Sequence, residues 1–196
     1  ALICSCSGVK KTQEALNSGN YNAAINKAIV NIAENKSKKS NQAYILLLEE
    51  AFKKNTEREI QNIKFLKKDG NPANYETIYE SLASLKEIQQ RIRPLLPLHV
   101  VEENRNAHFS FKNYDSDLIA AKVKLSEFLY DNAIGLLQDA RYKTEYRNAY
   151  EDLKYLEEIN PNYKDTSDKM DEAYQKGLDY VVVEMINNKD KVIPQK

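Results

Sequence analysis

The feature that most constrains the fold is a short apolar signature that occurs three times: Tyr21, Ala24 and Ala28, then Tyr75, Ile78 and Leu82, then Tyr146, Ala149 and Leu153. The members sit at offsets of three and seven, a spacing that gathers them on one face of a helix and divides them between the two faces of a strand. A chain that repeats such a face has to bury it against neighbouring helices. Breakers are scarce, with 5 Gly and 5 Pro in 196 residues, so the helices run long.

Periodicity predicts helices over 9–18, 21–36, 40–68, 73–93, 116–140, 143–159 and 164–178. In the third, Tyr44, Leu47, Leu48, Ala51 and Phe52 form an apolar stripe that Ile60, Ile63 and Leu66 resume beyond a polar waist, residues 55–59, expected to face solvent. A helix of that length extends about 40 Å and is expected to project past its neighbours. Asp69-Gly70-Asn71-Pro72 supplies a left-handed cap and a proline start. After the third signature, Leu156 and Ile159 continue the apolar face until Asn160-Pro161 stops the helix.

Two stretches break the pattern. Residues 94–115 are too long for a structureless loop, and 98–101 and 108–112 have strand character, which predicts a β-hairpin or an extended arm with Phe109 and Phe111 on one side. The segment Tyr180-Val181-Val182-Val183-Glu184-Met185-Ile186 is also strand-like. A lone strand needs an edge, which the central hairpin, a further β domain or a partner has to supply.

Residues 19–28 and 146–161 resemble tetratricopeptide repeats, the helix-turn-helix units of scaffold proteins. The copies are 54 and 71 positions apart and lack the consensus tryptophan, so the array is divergent from the ~34-residue family period. The resemblance and the periodicity together predict an all-α, tetratricopeptide-like array of about seven helices in hairpins, to which the strand-like stretches add a small β-like insertion near 96–112 and a C-terminal strand. The expected organisation is an anchor segment over 1–8, a helical domain over 9–178 with an insertion at 94–115, and a strand and tail over 179–196.

The N-terminal residues carry an address. Ile3-Cys4-Ser5-Cys6 resembles a bacterial lipobox, in which an aliphatic residue and two small residues precede the cysteine that is lipidated; Cys6 fits better than Cys4, where bulky Ile3 would sit beside the cut. These are the chain's 2 cysteines, too close together to bridge without strain. In such lipoproteins Ser7 after the cysteine implies the outer membrane, and the lack of a following acidic cluster implies the periplasmic side.

Charge is balanced, 29 basic against 29 acidic residues, which offers no basic excess for nucleic acid. Catalytic candidates are poor. His99 and His108 flank Glu102 and Glu103 in a spacing that matches no compact metal set. Glu80-Ser81 and Gly135-Leu136-Leu137-Gln138 faintly resemble motifs of helical lytic transglycosylases, but their separation is too long and Glu80 lies inside a repeat copy, so a solvated glutamate is expected. Neither a catalytic set, a metal nor a cofactor is expected.

The 13 tyrosines are expected mainly in repeat cores, while Tyr142, Tyr155, Tyr163 and Tyr174 are candidates to line a peptide groove. The resulting expectation is a non-enzymatic scaffold lipoprotein whose partners are other envelope proteins, with Phe109, Phe111, Tyr142, Tyr163 and Val182 as candidate contacts. The alternative is a sugar- or peptide-binding lipoprotein similar to the starch-binding outer-membrane family; the lack of tryptophan and the short chain oppose it.

Overall fold

The computed structural model describes residues 3–36 and 39–184, with side chains described from residue 8 onward. The described chain is an array of seven α-helices with one two-stranded antiparallel ribbon. The helices are α1 (Ile3–Asn17), α2 (Tyr21–Glu34), α3 (Gln42–Asp69), α4 (Tyr75–Ile92), α5 (Asp115–Asp139), α6 (Lys143–Ile159) and α7 (Thr166–Gly177); the ribbon joins β1 (His99–Val100) to β2 (Arg105–Asn106). Contacts divide the chain into two compact units, residues 1–128 and 129–196, and α5 contributes residues to each.

In the first unit, α1, α2 and the N-terminal half of α3 bury Leu16, Ile25, Ile32 and Leu48 around one core. Burying such a side chain fully contributes about 1.5–3 kcal/mol. A second cluster, with Ile63, Ile78, Leu82, Leu85 and Ala121, covers the C-terminal half of α3 with α4 and α5. α3 is therefore covered along both halves and does not project past its neighbours as expected. Nor does its polar waist all face solvent. Asn55 is buried and accepts a hydrogen bond from Arg58 at 3.3 Å, because Arg58 reaches back to the α1–α2 turn and donates to the Gly19 carbonyl at 2.6 Å.

The insertion folds onto α3. Arg105 donates to both carboxylate oxygens of Glu49 at 2.7 and 2.8 Å, and the same carboxylate accepts the His108 backbone N–H at 2.6 Å. This pairing holds the Glu49 carboxyl below its ordinary value of 4.5, chiefly through the Arg105 hydrogen bonds. The ribbon register differs from expectation: its second strand is 105–106, and residues 108–112 have no ladder, with the Phe111 N–H turned back to the Phe109 carbonyl at 2.9 Å. Phe109 and Phe111, expected as partner contacts, pack inward instead. Their rings stack 6.0 Å apart, and Phe52 meets each edge-on at 5.4 and 5.7 Å. Burying aromatic area against Phe52 outweighs strand pairing here, and the guanidinium of Arg93 covers Phe111 at 4.6 Å.

α1 runs through residue 8, so the expected boundary there falls inside a helix; Gly8 lies against the Tyr44 hydroxyl, which a Cβ would displace. The side chain of Cys6 lies outside the described residues.

In the second unit the last turns of α5 pack with the α6–α7 hairpin, and Ala133, Ala149, Leu153 and Ala173 are completely buried at their junction. Three alanines at one crossing let the helices approach closely. The expected strand at 180–186 does not form: residues 178–184 have no ladder partner, and Met185 and Ile186 lie outside the described residues. β-branched residues favour extended backbone, but without a second edge no hydrogen bonds reward it.

Candidate interaction surface

All three copies of the repeated signature are built alike. Ala24, Ala28, Ile78, Leu82, Ala149 and Leu153 are buried, while Tyr21, Tyr75 and Tyr146 are half-buried at the rim. Each tyrosine ring is covered by a cation from the following helix: Arg58 lies 4.7 Å from the Tyr21 centroid, Lys124 5.7 Å from Tyr75 and Lys176 5.5 Å from Tyr146. The pattern pairs α2 with α3, α4 with α5 and α6 with α7. It was invisible in the sequence because the cations follow their tyrosines at no constant spacing. Pro161 has a different role from the other signature residues: it is exposed and ends α6 without packing.

The α6–α7 hairpin carries the clearest surface feature. Gly177 at the end of α7 is buried against α6, where an added Cβ would come within 3.2 Å of the Arg147 Cγ. This close approach lets Arg147 donate from Nε to the Gly177 carbonyl at 2.9 Å and from Nη2 to Asp179 at 2.5 Å. Lys143 donates to the Leu178 carbonyl at 2.6 Å and to Asp179 at 2.8 Å. Hydrogen bonds from Lys143 and then Arg147 hold the Asp179 carboxyl below its ordinary value. Two cations from one face of α6 thus fasten the chain as it leaves α7.

Immediately beyond the clamp, Tyr180, Val181, Val182 and Val183 are exposed to 76, 85, 82 and 80%. Beside the clamp lies a groove of about 300 Å³ whose lining includes Ala173 and the contacting rings of Tyr150 and Tyr174, 5.6 Å apart.

The tyrosine candidates separate. Tyr142 is 72% exposed, and its backbone N–H is accepted by Glu145 at 2.9 Å. Tyr174 is half-exposed beside the groove, whereas Tyr155 is half-buried on α6. Tyr163, expected as a contact, is engaged in a structural cluster: it meets Tyr130 edge-on at 5.9 Å, with the Lys164 ammonium 4.0 Å from the Tyr130 ring. Tyr130 donates to Asp165, and this bond pushes its hydroxyl up to about 12.

His99 and His108 are exposed on the insertion, and His108 pairs with Ser110 at 3.1 Å. Glu80 is exposed on α4, and neighbouring Ser81 donates to Glu59 at 3.2 Å. Among the described residues there is no cluster of His, Cys, Asp and Glu able to hold a metal ion, and no helix is long and apolar enough to cross a membrane.

No family model, curated protein or solved structure matches this chain.

Proposed function

We propose that this chain is a non-enzymatic scaffold that binds other proteins through the α6–α7 hairpin and residues 180–183. The observation that carries the proposal is the clamp followed by the exposed run: Lys143 and Arg147 make four side-chain hydrogen bonds, beside a buried glycine, that fix how a Tyr-Val-Val-Val segment leaves the fold. Soluble surfaces rarely present contiguous apolar residues without a partner, and an extended β-branched segment suits strand addition to an open sheet edge, with backbone bonds giving affinity and alternate side chains giving specificity. The repeated cation-covered tyrosines fit a tetratricopeptide-like array, whose stacked hairpins present binding surface.

The N-terminal Ile3-Cys4-Ser5-Cys6 supports placing this scaffold on the periplasmic side of an outer membrane, lipidated at Cys6, among envelope proteins. A second reading has an observation of its own. The Tyr150–Tyr174 groove suits a peptide or sugar ligand that stacks on aromatic faces.

Affinity purification from solubilised membranes, with the parent chain and Val182→Asp compared, tests the scaffold. The expected result is a stoichiometric partner lost with Val182→Asp while helix content by circular dichroism is unchanged. The same partners with both chains would refute it.

A further inference from the structure

We propose that the pocket formed by the end of α3, the start of α4 and the first turns of α5 binds a small monocarboxylic acid with an aromatic body. The site lies entirely in the first unit and is separate from the interaction surface. It has a volume of about 230 Å³ and mostly apolar walls, including Leu66, Ile78 and Ala121, with the half-buried Tyr75 among them. An apolar cavity of ~150 Å³ takes a benzene ring, so this one has room for a ring with a short arm.

The space is created by small residues. Gly70 ends α3 in the left-handed conformation at φ 71°, with nothing within 4 Å of where a Cβ would stand, and Ala120 and Ala121 present only methyl groups. Apolar walls with no atoms opposite them forgo dispersion contacts that a ring would restore.

Charge selects the head group. The pocket is rimmed by Lys67, Asp117 and Lys124. Lys67 is matched by Asp117 at 3.1 Å, whereas Lys124 has the Tyr75 ring at 5.7 Å and no carboxylate paired with it among the described residues. One positive charge is left beside an apolar cavity, which favours an anion over a neutral or cationic ligand of equal size. A ring seated against Tyr75 would bring its carboxylate towards the Lys124 ammonium.

The test is a titration of the full chain with phenylacetate, followed by backbone amide NMR, with phenylacetamide as the neutral isostere. Phenylacetate should give saturable shifts centred on Tyr75, Ile78 and Ala121 at millimolar or lower concentration, as suits a ligand of its size. Phenylacetamide should bind roughly tenfold more weakly, the scale of one hydrogen bond to a charged group. Lys124→Gln should bring phenylacetate down to the affinity of the amide. Ala120→Leu, at an exposed position where the helix tolerates leucine, should block both. Equal binding of acid and amide, unchanged phenylacetate binding by Lys124→Gln or Ala120→Leu, or no saturable shift with the parent chain would each overturn the proposal.

Discussion

Ala149 is completely buried on α6, in a cluster with Ala133, Leu153 and Ala173. Ala149→Leu places an isobutyl group where the helices have left space for a methyl, and neither alanine can yield by changing rotamer. Overpacking of this kind costs ~1–3 kcal/mol. With a cost of about 2 kcal/mol, a unit of the size of residues 129–196 that melts by itself should lose about 8–16 °C, at ~4–8 °C per kcal/mol. If all 196 residues melt together the fall is about 4–8 °C. Circular dichroism melting reads the shift, and amide exchange locates it: protection at Leu153 should fall with the stability of the unit. An unchanged melting curve, together with unchanged exchange at Leu153, would show that this crossing has slack and that the repeated signature is not a packing face.

The Glu49–Arg105 pairing predicts a pH dependence. A carboxyl lowered on folding contributes stability that is fully present above its unfolded value near 4.5 and is lost as pH falls through the lower folded value; Glu49→Gln should therefore remove part of the acid destabilisation that the parent shows below that point in urea titrations. Asp179→Ala should open the clamp, so that chymotrypsin cuts after Tyr180 several-fold faster while helix content stays the same. Should Cys6 carry the anchor, Cys6→Ala releases the protein into the soluble fraction, since stable attachment needs two or more acyl chains; retention at the membrane would refute lipidation there.

Helical organisation was legible because 3.6-residue periodicity is a local property. The helix predicted over 143–159 is α6 itself; α2 ends two residues before expectation, and α3 starts two residues later and ends one later than expected. The helix predicted from residue 9 extends N-terminally through the lipobox-like run. Failures cluster where tertiary contacts decide. Asn55 reads as solvent-facing until Arg58 is seen reaching the Gly19 carbonyl, and Phe109 and Phe111 read as strand until Phe52 is placed beneath them. Val182 shows the converse: its β-branched neighbours announce an extended backbone, but only a partner edge makes a strand. The clamp on Asp179 was out of reach because its cations lie 32 and 36 positions away, on another helix.

Scaffolding through residues 180–183 is tested most directly by placing a photo-activated crosslinking amino acid at Val182 and, in a parallel chain, at Val30, an apolar position 57% exposed on α2. Irradiation in cells should join the Val182 chain to one discrete protein, with Asp179→Ala reducing the yield, and should leave the Val30 chain uncoupled. Equal crosslinking from both positions, or none from Val182, would contradict the scaffold reading.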